Sequence, residues 1–215
     1  MKIAIAGGHG QIARKLSSLL STNGHEPWAL IRNADHTADV ESDGARAIIV
    51  DLERDDDARV AEAVTGADAV VFAAGAGPNS GAERKLTLDR DGAILLADAA
   101  VQAGIRRYVI VSSRGADSFD PNSDDVFQIY LRAKSEADAA VRGNENLDWT
   151  VVRPGGLTDE PGTGAVRVGA DESGTISRDD VAAVLYSLLT TGGGVGAQFE
   201  VVNGDAPIAE AVVGL

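Results

Sequence analysis

The run Tyr130-Leu131-Arg132-Ala133-Lys134 sets a phenol and an ammonium four residues apart. On a helix that spacing puts both on one face, one turn apart. A free tyrosine titrates at about 10, and an ammonium close by favours its phenolate. Such a pair can give or take a proton near neutral pH, help worth ~10²–10⁴ in rate. Tyr-x-x-x-Lys alone is common, and a surface pair on an amphipathic helix is the competing reading. Its place after the apolar run Tyr108–Ser112, in a chain that also carries a nucleotide-binding loop, favours the chemical one.

That loop is Gly7-Gly8-His9-Gly10-Gln11-Ile12-Ala13. It fits two frames, Gly8-x-Gly10-x-x-Ala13 and Gly7-x-x-Gly10-x-x-Ala13. In both, a turn without Cβ atoms lets the backbone approach a pyrophosphate, whose charge sits on the free N–H groups of the helix that follows. An ordinary glycine-rich turn is the alternative, but the motif's two flanks, a strand before and a helix after, are both present. Downstream, Leu30-Ile31-Arg32-Asn33 offers no carboxylate for a ribose 2′-hydroxyl before Asp35. Arg32 is a fork suited to a 2′-phosphate. The expected cofactor is therefore NADP, with NAD as the other possibility.

The elements that would hold these groups alternate along the chain. Short runs rich in Val and Ile are expected strands: Lys2–Ala6, Pro27–Ile31, Ala47–Val50, Ala69–Ala73, Tyr108–Ser112, Thr150–Val152 and Phe199–Val202. Between them lie expected helices Gln11–Ser21, Asp55–Val64, Ala82–Gln102, Asp125–Arg142 and Arg178–Leu189. In the first helix Ile12, Leu16, Leu19 and Leu20 form one apolar stripe. Gly24 and Gly104 stand where left-handed C-caps belong, and Ser177 with Asp180 makes a capping-box-like start to the final expected helix. The fold expected is α/β: a Rossmann-type, doubly wound, mainly parallel sheet with helices on both faces. Residues 1–215 are expected to form one domain. The Gly-rich stretch Gly155–Gly174 is expected to be a small C-terminal lid over the substrate, and Gly192–Gly196 a flexible link into the last strand.

Composition narrows the class. The 215 residues are 44% hydrophobic with mean hydropathy −0.03, which suits neither a disordered chain nor a membrane protein. Net charge is −14, which argues against nucleic-acid or anionic-membrane partners. The acidic runs Asp55-Asp56-Asp57, Asp124-Asp125 and Asp179-Asp180 read as solvating surface. Absence of cysteine removes disulfides and thiolate metal sites and suits a cytoplasmic location. Ile3 to Ala6 is too short for a signal peptide or a membrane span. His9, His25 and His36 lack metal-ligand spacing, so no metal is expected. No Gly-x-Ser-x-Gly elbow occurs, which weakens a hydrolase reading. Arginines outnumber lysines fifteen to four, which makes each lysine worth attention.

Together these motifs resemble the short-chain dehydrogenase/reductase superfamily, in its small atypical NAD(P)-binding branch of NmrA-like and biliverdin/flavin-reductase-like members. Two further runs carry the likeness: Asp89-x-Asp91-Gly92 through Leu95-Leu96, Ala99 and Ala103-Gly104-Ile105-Arg106-Arg107-Tyr108-Val109 to Ser112-Ser113, and Asp148-Trp149-Thr150-Val151-Val152-Arg153-Pro154-Gly155. The resemblance covers nearly the whole chain and is specific for a family, not for a substrate. It implies that His9, Gly10, Gln11 and Ile12 wrap the pyrophosphate and that Arg32 takes the 2′-phosphate. Asp51 and Leu52 would flank the adenine, and Ala73, Ala74 and Gly75 would line the adenosine ribose. Ser112 and Ser113 would face the nicotinamide, Lys134 would hold its ribose, and Pro154-Gly155 would meet its carboxamide. Asp51 could instead cap a strand end, and Pro154-Gly155 could only shape a turn.

One departure stands out. Where many relatives carry a third hydroxyl residue that polarises the substrate carbonyl, this chain has Arg114, so Ser113 would take that role or the chemistry differs. The expected function is an NADP(H)-dependent oxidoreductase on a small carbonyl or alcohol, with Tyr130, Lys134 and Ser113 catalytic. The alternatives are a non-catalytic redox sensor with a regulatory protein partner, as NmrA-like relatives imply, and a nucleotide-sugar epimerase or dehydratase. A monomer or homodimer is expected.

Overall fold

The computed structural model describes residues 1–77, 80–170 and 172–215. The first half alternates as its sequence pattern requires: β1 (Lys2–Ala6), α1 (Gln11–Thr22), β2 (Glu26–Ile31), α2 (Thr37–Ser42), β3 (Arg46–Ile49), α3 (Asp57–Val64) and β4 (Ala69–Phe72). A long helical passage follows, α4 (Ala82–Arg84), a π-helical stretch Lys85–Gly92, and α5 (Ala93–Gln102). Then come β5 (Arg107–Val111), α6 (Val126–Arg142) and β6 (Asp148–Pro154). The C-terminal part holds β7 (Gly156–Thr158), β8 (Ala165–Gly169), β9 (Thr175–Ser177), α7 (Arg178–Thr191), β10 (Ala197–Asn203), β11 (Ala206–Pro207) and α8 (Ile208–Val213).

The main sheet runs β11-β8-β10-β6-β5-β4-β1-β2-β3. From β10 to β3 every neighbouring pair is parallel, whereas β8 joins β10, and β11 joins β8, antiparallel. This is the doubly wound Rossmann-type architecture expected. Alternate residues of each central strand serve two cores, as strands buried on both faces must. Ile3, Ile5, Val71 and Val109 pack with Leu16 and Leu20 of α1 and Val181, Leu185 and Leu188 of α7. Ala4, Val70, Phe72 and Ile110 pack with Val60 of α3, Leu96 of α5 and Val141 of α6. The Tyr108 hydroxyl, fully buried, donates to Ala93 O at 2.8 Å and ties α5 to the sheet. Among the described residues no helix is long and apolar enough to cross a membrane.

Several expectations need correction. The helix expected over Ala82–Gln102 is not regular, because its middle turns are π-helical. The lid stretch Gly155–Gly174 carries short strands that its sequence did not show: β7 pairs with β9 in a small second sheet, and β8 extends the main one. Its two ends meet at Gly155, where a Cβ would stand 2.5 Å from the Gly174 carbonyl oxygen. Asp180, buried at the start of α7, accepts from the N–H groups of Thr163 and Gly164, both at 2.8 Å, and from Ser177 Oγ. The lid is thus pinned at its base. The glycine link 192–196 is likewise held: Arg107 donates to Gly193 O at 2.8 Å and Thr150 to Gly194 O at 2.6 Å. The capping pair Ser177 and Asp180 forms as read, with Asp180 N donating to Ser177 Oγ at 2.9 Å, although α8 follows as a later helix.

Candidate active site

Strand order reverses between β1 and β4, and the loops leaving their C-terminal ends diverge there to open a crevice. Gly7 sits at the divergence with φ +73°, and a Cβ on it would lie 2.6 Å from Ala74 Cα. Only glycine fits where these two loops touch. Gly8 meets the other neighbour: its Cβ would stand 2.7 Å from that of Ala29 in β2. Gly10 is the N-cap of α1 and brings no side chain to cap it, so the leading N–H groups of that helix are offered to the crevice. Ala13 is buried against the sheet. A glycine cradle under an uncapped helix start has the shape and charge that a dinucleotide pyrophosphate needs.

Two adjoining chambers occupy the crevice. The first, about 290 Å³, is lined by Gly7, His9, Gly10, Arg32, His36, Asp51, Leu52, Glu53, Ala73, Ala74, Gly75 and Arg84, among others. Its polar groups are already organised. His9 Nε2 lies 2.8 Å from Asp39 of α2 and its ring stacks on His36. Asp51 turns the chain after β3, accepting from Glu53 N at 3.0 Å, so it is a turn-former as well as a chamber wall. Arg32 keeps a half-exposed guanidinium, 3.3 Å from Glu53. Sequence reading missed Glu53, which also accepts from Arg84 at 3.0 Å and Thr87 at 2.9 Å. Burial works to raise the Glu53 pKa, but Arg84, Thr87 and Arg32 outweigh it and hold the carboxyl below its ordinary range.

The second chamber, about 750 Å³, shares Gly10 and Ala73–Gly75 with the first. Its wall includes Gln11, Ile12, Lys85, Asp89, Ser112, Ser113, Tyr130, Lys134, Pro154, Gly155 and Leu157. Every residue expected in the site therefore borders this one crevice. Asp125 caps α6, accepting from Phe127 N at 2.8 Å, and so sets the phase in which Tyr130 and Lys134 reach the wall. Lys134 is buried, donates to Val111 O at 3.2 Å and lies 3.3 Å from Asp89. Burial opposes its charge, yet Asp89 foremost and Asp138 more weakly hold its pKa above the ordinary lysine range. Asp89, fully buried, accepts from Ala76 N at 3.1 Å.

The two serines part company. Ser112 borders the chamber but is buried, and its hydroxyl donates to Asp138 at 2.8 Å. Asp138 belongs to a buried cluster in which Arg153 reaches it from Nη2 at 2.7 Å and reaches Asp117 from Nη1 at 2.7 Å. This cluster fixes the C-terminal ends of β5 and β6 under the chamber floor. Ser113 stays half-buried on the wall. Arg114 is exposed, and its N–H donates to Pro154 O at 3.0 Å.

A family model described as NAD(P)H-binding matches residues 7–192. The chain belongs to that family. Its fold is that of the short-chain dehydrogenase/reductase superfamily, with epimerase/dehydratase-like relatives. It is 38% identical to a Bacillus subtilis protein described as an uncharacterized sugar epimerase, YhfK, over 99% of each chain. Among solved structures it is similar to a Bacillus halodurans protein provisionally named an NAD-dependent epimerase/dehydratase, at TM-score 0.91 and 38% identity over 100% of both chains. It is also similar to the oxidoreductase ylbE of Lactococcus lactis, at TM-score 0.86 and 27% identity, covering 100% of this chain and 96% of that one.

Proposed function

We propose that this NAD(P)-binding protein is an NADP(H)-dependent oxidoreductase that interconverts a small carbonyl compound and its alcohol. The observation that carries the reading is Tyr130 on the chamber wall, with the buried, Asp89-paired Lys134 one turn behind it. When bound, the nicotinamide supplies or accepts the hydride. The chain's own groups do the rest. His9 and Gly10 wrap the pyrophosphate, and Gln11 and Ile12 offer it N–H groups, the Gly10 N–H itself being donated to Gly7 O at 2.7 Å. Arg32 receives the 2′-phosphate, while Asp51 and Leu52 border the adenine and Ala73–Gly75 the ribose. Lys134 holds the second ribose and keeps a positive charge behind Tyr130. Tyr130 Oη then gives a proton to the carbonyl oxygen, or takes one from the alcohol. Ser113 orients that oxygen, with Pro154 and Gly155 closing the site. The position of Ser113 on the wall, with Arg114 off it, supports catalysis over a sensor role.

The names of the relatives at 38% identity support a second reading, epimerase or dehydratase chemistry by the same Tyr130 and Lys134, with the cofactor restored in each cycle. One experiment separates them: NADPH oxidation followed at 340 nm over a carbonyl panel, in parallel with the Tyr130→Phe variant. Net NADPH consumption that falls ~10²–10⁴-fold in the variant, with nucleotide affinity retained, is the expected result. Equal turnover by the variant overturns the role of Tyr130. Product formation without net NADPH consumption favours the second reading.

A further inference from the structure

Two of the four lysines in this acidic chain stand on the wall of one chamber. Lys134 belongs to the Tyr-x-x-x-Lys pair, but Lys85 does not. Lys85 is buried in the π-helical stretch, and its Nζ lies 5.3 Å from the centre of the Tyr130 ring, closer than the 5.8 Å of Lys134. One of its three donors goes to Gly77 O at 2.6 Å. Among the described residues no carboxylate lies within ion-pair distance of it. The charge of Asp89 bears on both lysines, yet its contact is with Lys134.

The other charges on the wall are committed elsewhere. Asp125 caps α6, and Arg178 pairs with Asp159 at 2.8 Å, so neither contacts Lys85. One buried ammonium is therefore left without a carboxylate in contact, an arrangement that an anion would stabilise. The mouth of the same chamber is apolar. Val126, Phe127 and Leu157 line it, and all three are among the large hydrophobic side chains that face solvent. Exposed apolar groups gathered beside a buried unpaired cation describe a ligand with an oily body and a negative end.

We propose that Lys85 binds a carboxylate of the substrate, so that the carbonyl or alcohol compound handled here is an organic acid whose apolar portion rests on Val126, Phe127 and Leu157. This rests on the reading of the second chamber as the reaction site. A cofactor phosphate is the other source of such an anion. Of the seats for phosphate, Arg32 borders the first chamber, which Lys85 does not line, whereas the α1 N-terminus lines the second chamber with Lys85, so NADPH affinity in the test tells the two anions apart.

The test is calorimetric and uses the full chain with and without NADP. The probes are 3-phenylpropanoate against 3-phenylpropanamide, and hexanoate against hexanamide. The wild type is expected to bind each acid about tenfold or more tightly than its amide. Lys85→Gln should lose that preference while keeping its NADPH affinity, which also shows that it folds, and Lys85→Arg should retain it. Equal binding of acid and amide by a wild type that binds NADPH overturns the proposal alone, as does a preference that survives in Lys85→Gln. A tenfold loss of NADPH affinity in Lys85→Gln, with no acid preference in the wild type, assigns the lysine to the cofactor instead. A wild type that binds neither NADPH nor NADH overturns the parent reading and this one with it.

Discussion

The Asp89 carboxylate lies 3.3 Å from Lys134 Nζ, and both side chains are buried at the chamber wall. Removing one partner of such a pair strands the other charge in the interior. Asp89→Asn keeps the acceptor for Ala76 N but leaves the Lys134 ammonium without its counter-charge. We expect a loss of about 3 kcal/mol in unfolding free energy at neutral pH, measured by urea titration. Because the folded-state pKa of Lys134 is raised, this contribution is present below the ordinary lysine range and disappears as pH climbs through the folded value. The gap between wild type and variant should therefore close in strong alkali.

The proposed NADP preference rests on Arg32, whose guanidinium lies 3.3 Å from Glu53. Arg32→Ala should weaken NADPH about tenfold or more and leave NADH nearly unchanged. Glu53→Gln should do the reverse, strengthening NADPH by removing a carboxylate that competes for Arg32. Fluorescence titration with both nucleotides checks this, and an NADPH affinity indifferent to Arg32 refutes it.

Asp117 is the exposed end of the buried arginine cluster. Its bonds to Arg153 and then Ser135, against some desolvation, bring its pKa down to about 2. A depressed carboxyl stabilises the fold above its unfolded pKa of about 4, and the gain is lost as pH falls toward the folded value. The melting-temperature difference between wild type and Asp117→Asn should be greatest at pH 5–7 (a range of roughly neutral to mildly acid conditions) and shrink steadily below about pH 4. A difference that does not change across that range would remove the ion pair as its cause.

Gly7→Ala combines a left-handed φ with a methyl 2.6 Å from Ala74 Cα. The conformation alone costs about 1–3 kcal/mol, and relief of the clash must push the β1 and β4 loops apart. Both a lower melting temperature and a smaller rise on adding NADPH are expected in a thermal-shift experiment.

Much of this was legible in the residues because it rests on short-range rules. The strand before the glycine loop, the helix after it and the Tyr130/Lys134 spacing are local patterns, and all lie where the pattern puts them. Strand ends shifted by a residue or two, as with Ala69–Ala73 against the observed Ala69–Phe72, since frayed ends depend on neighbours. The helix α2 escaped notice because six residues show no period, yet it carries Asp39 to His9. Asp89 was read only as part of the family run, and Lys85 was hidden by a regular reading of Ala82–Gln102; the π-helical turns re-aim that stretch, and such turns gather at functional sites. A signal for Lys85 did exist, in the scarcity of lysine. For β8 the alternation in Ala165–Gly169, with Val166 buried and Arg167 exposed, was visible but masked by surrounding glycines. Nothing in the sequence announced Glu53, whose role depends on three side chains brought from β2 and the helical passage.

The sheet finishes, at its C-terminal border, in a strand of two residues, Ala206 and Pro207. Proline has no amide hydrogen to lend a newcomer, and two residues give almost no template for strand addition. Growth of the sheet into its neighbours, the usual route to fibrils for a wide parallel array, is thus blunted on that flank. A partner on that flank would meet only the short edge of β8 beyond Val166, so side chains more than backbone would choose it.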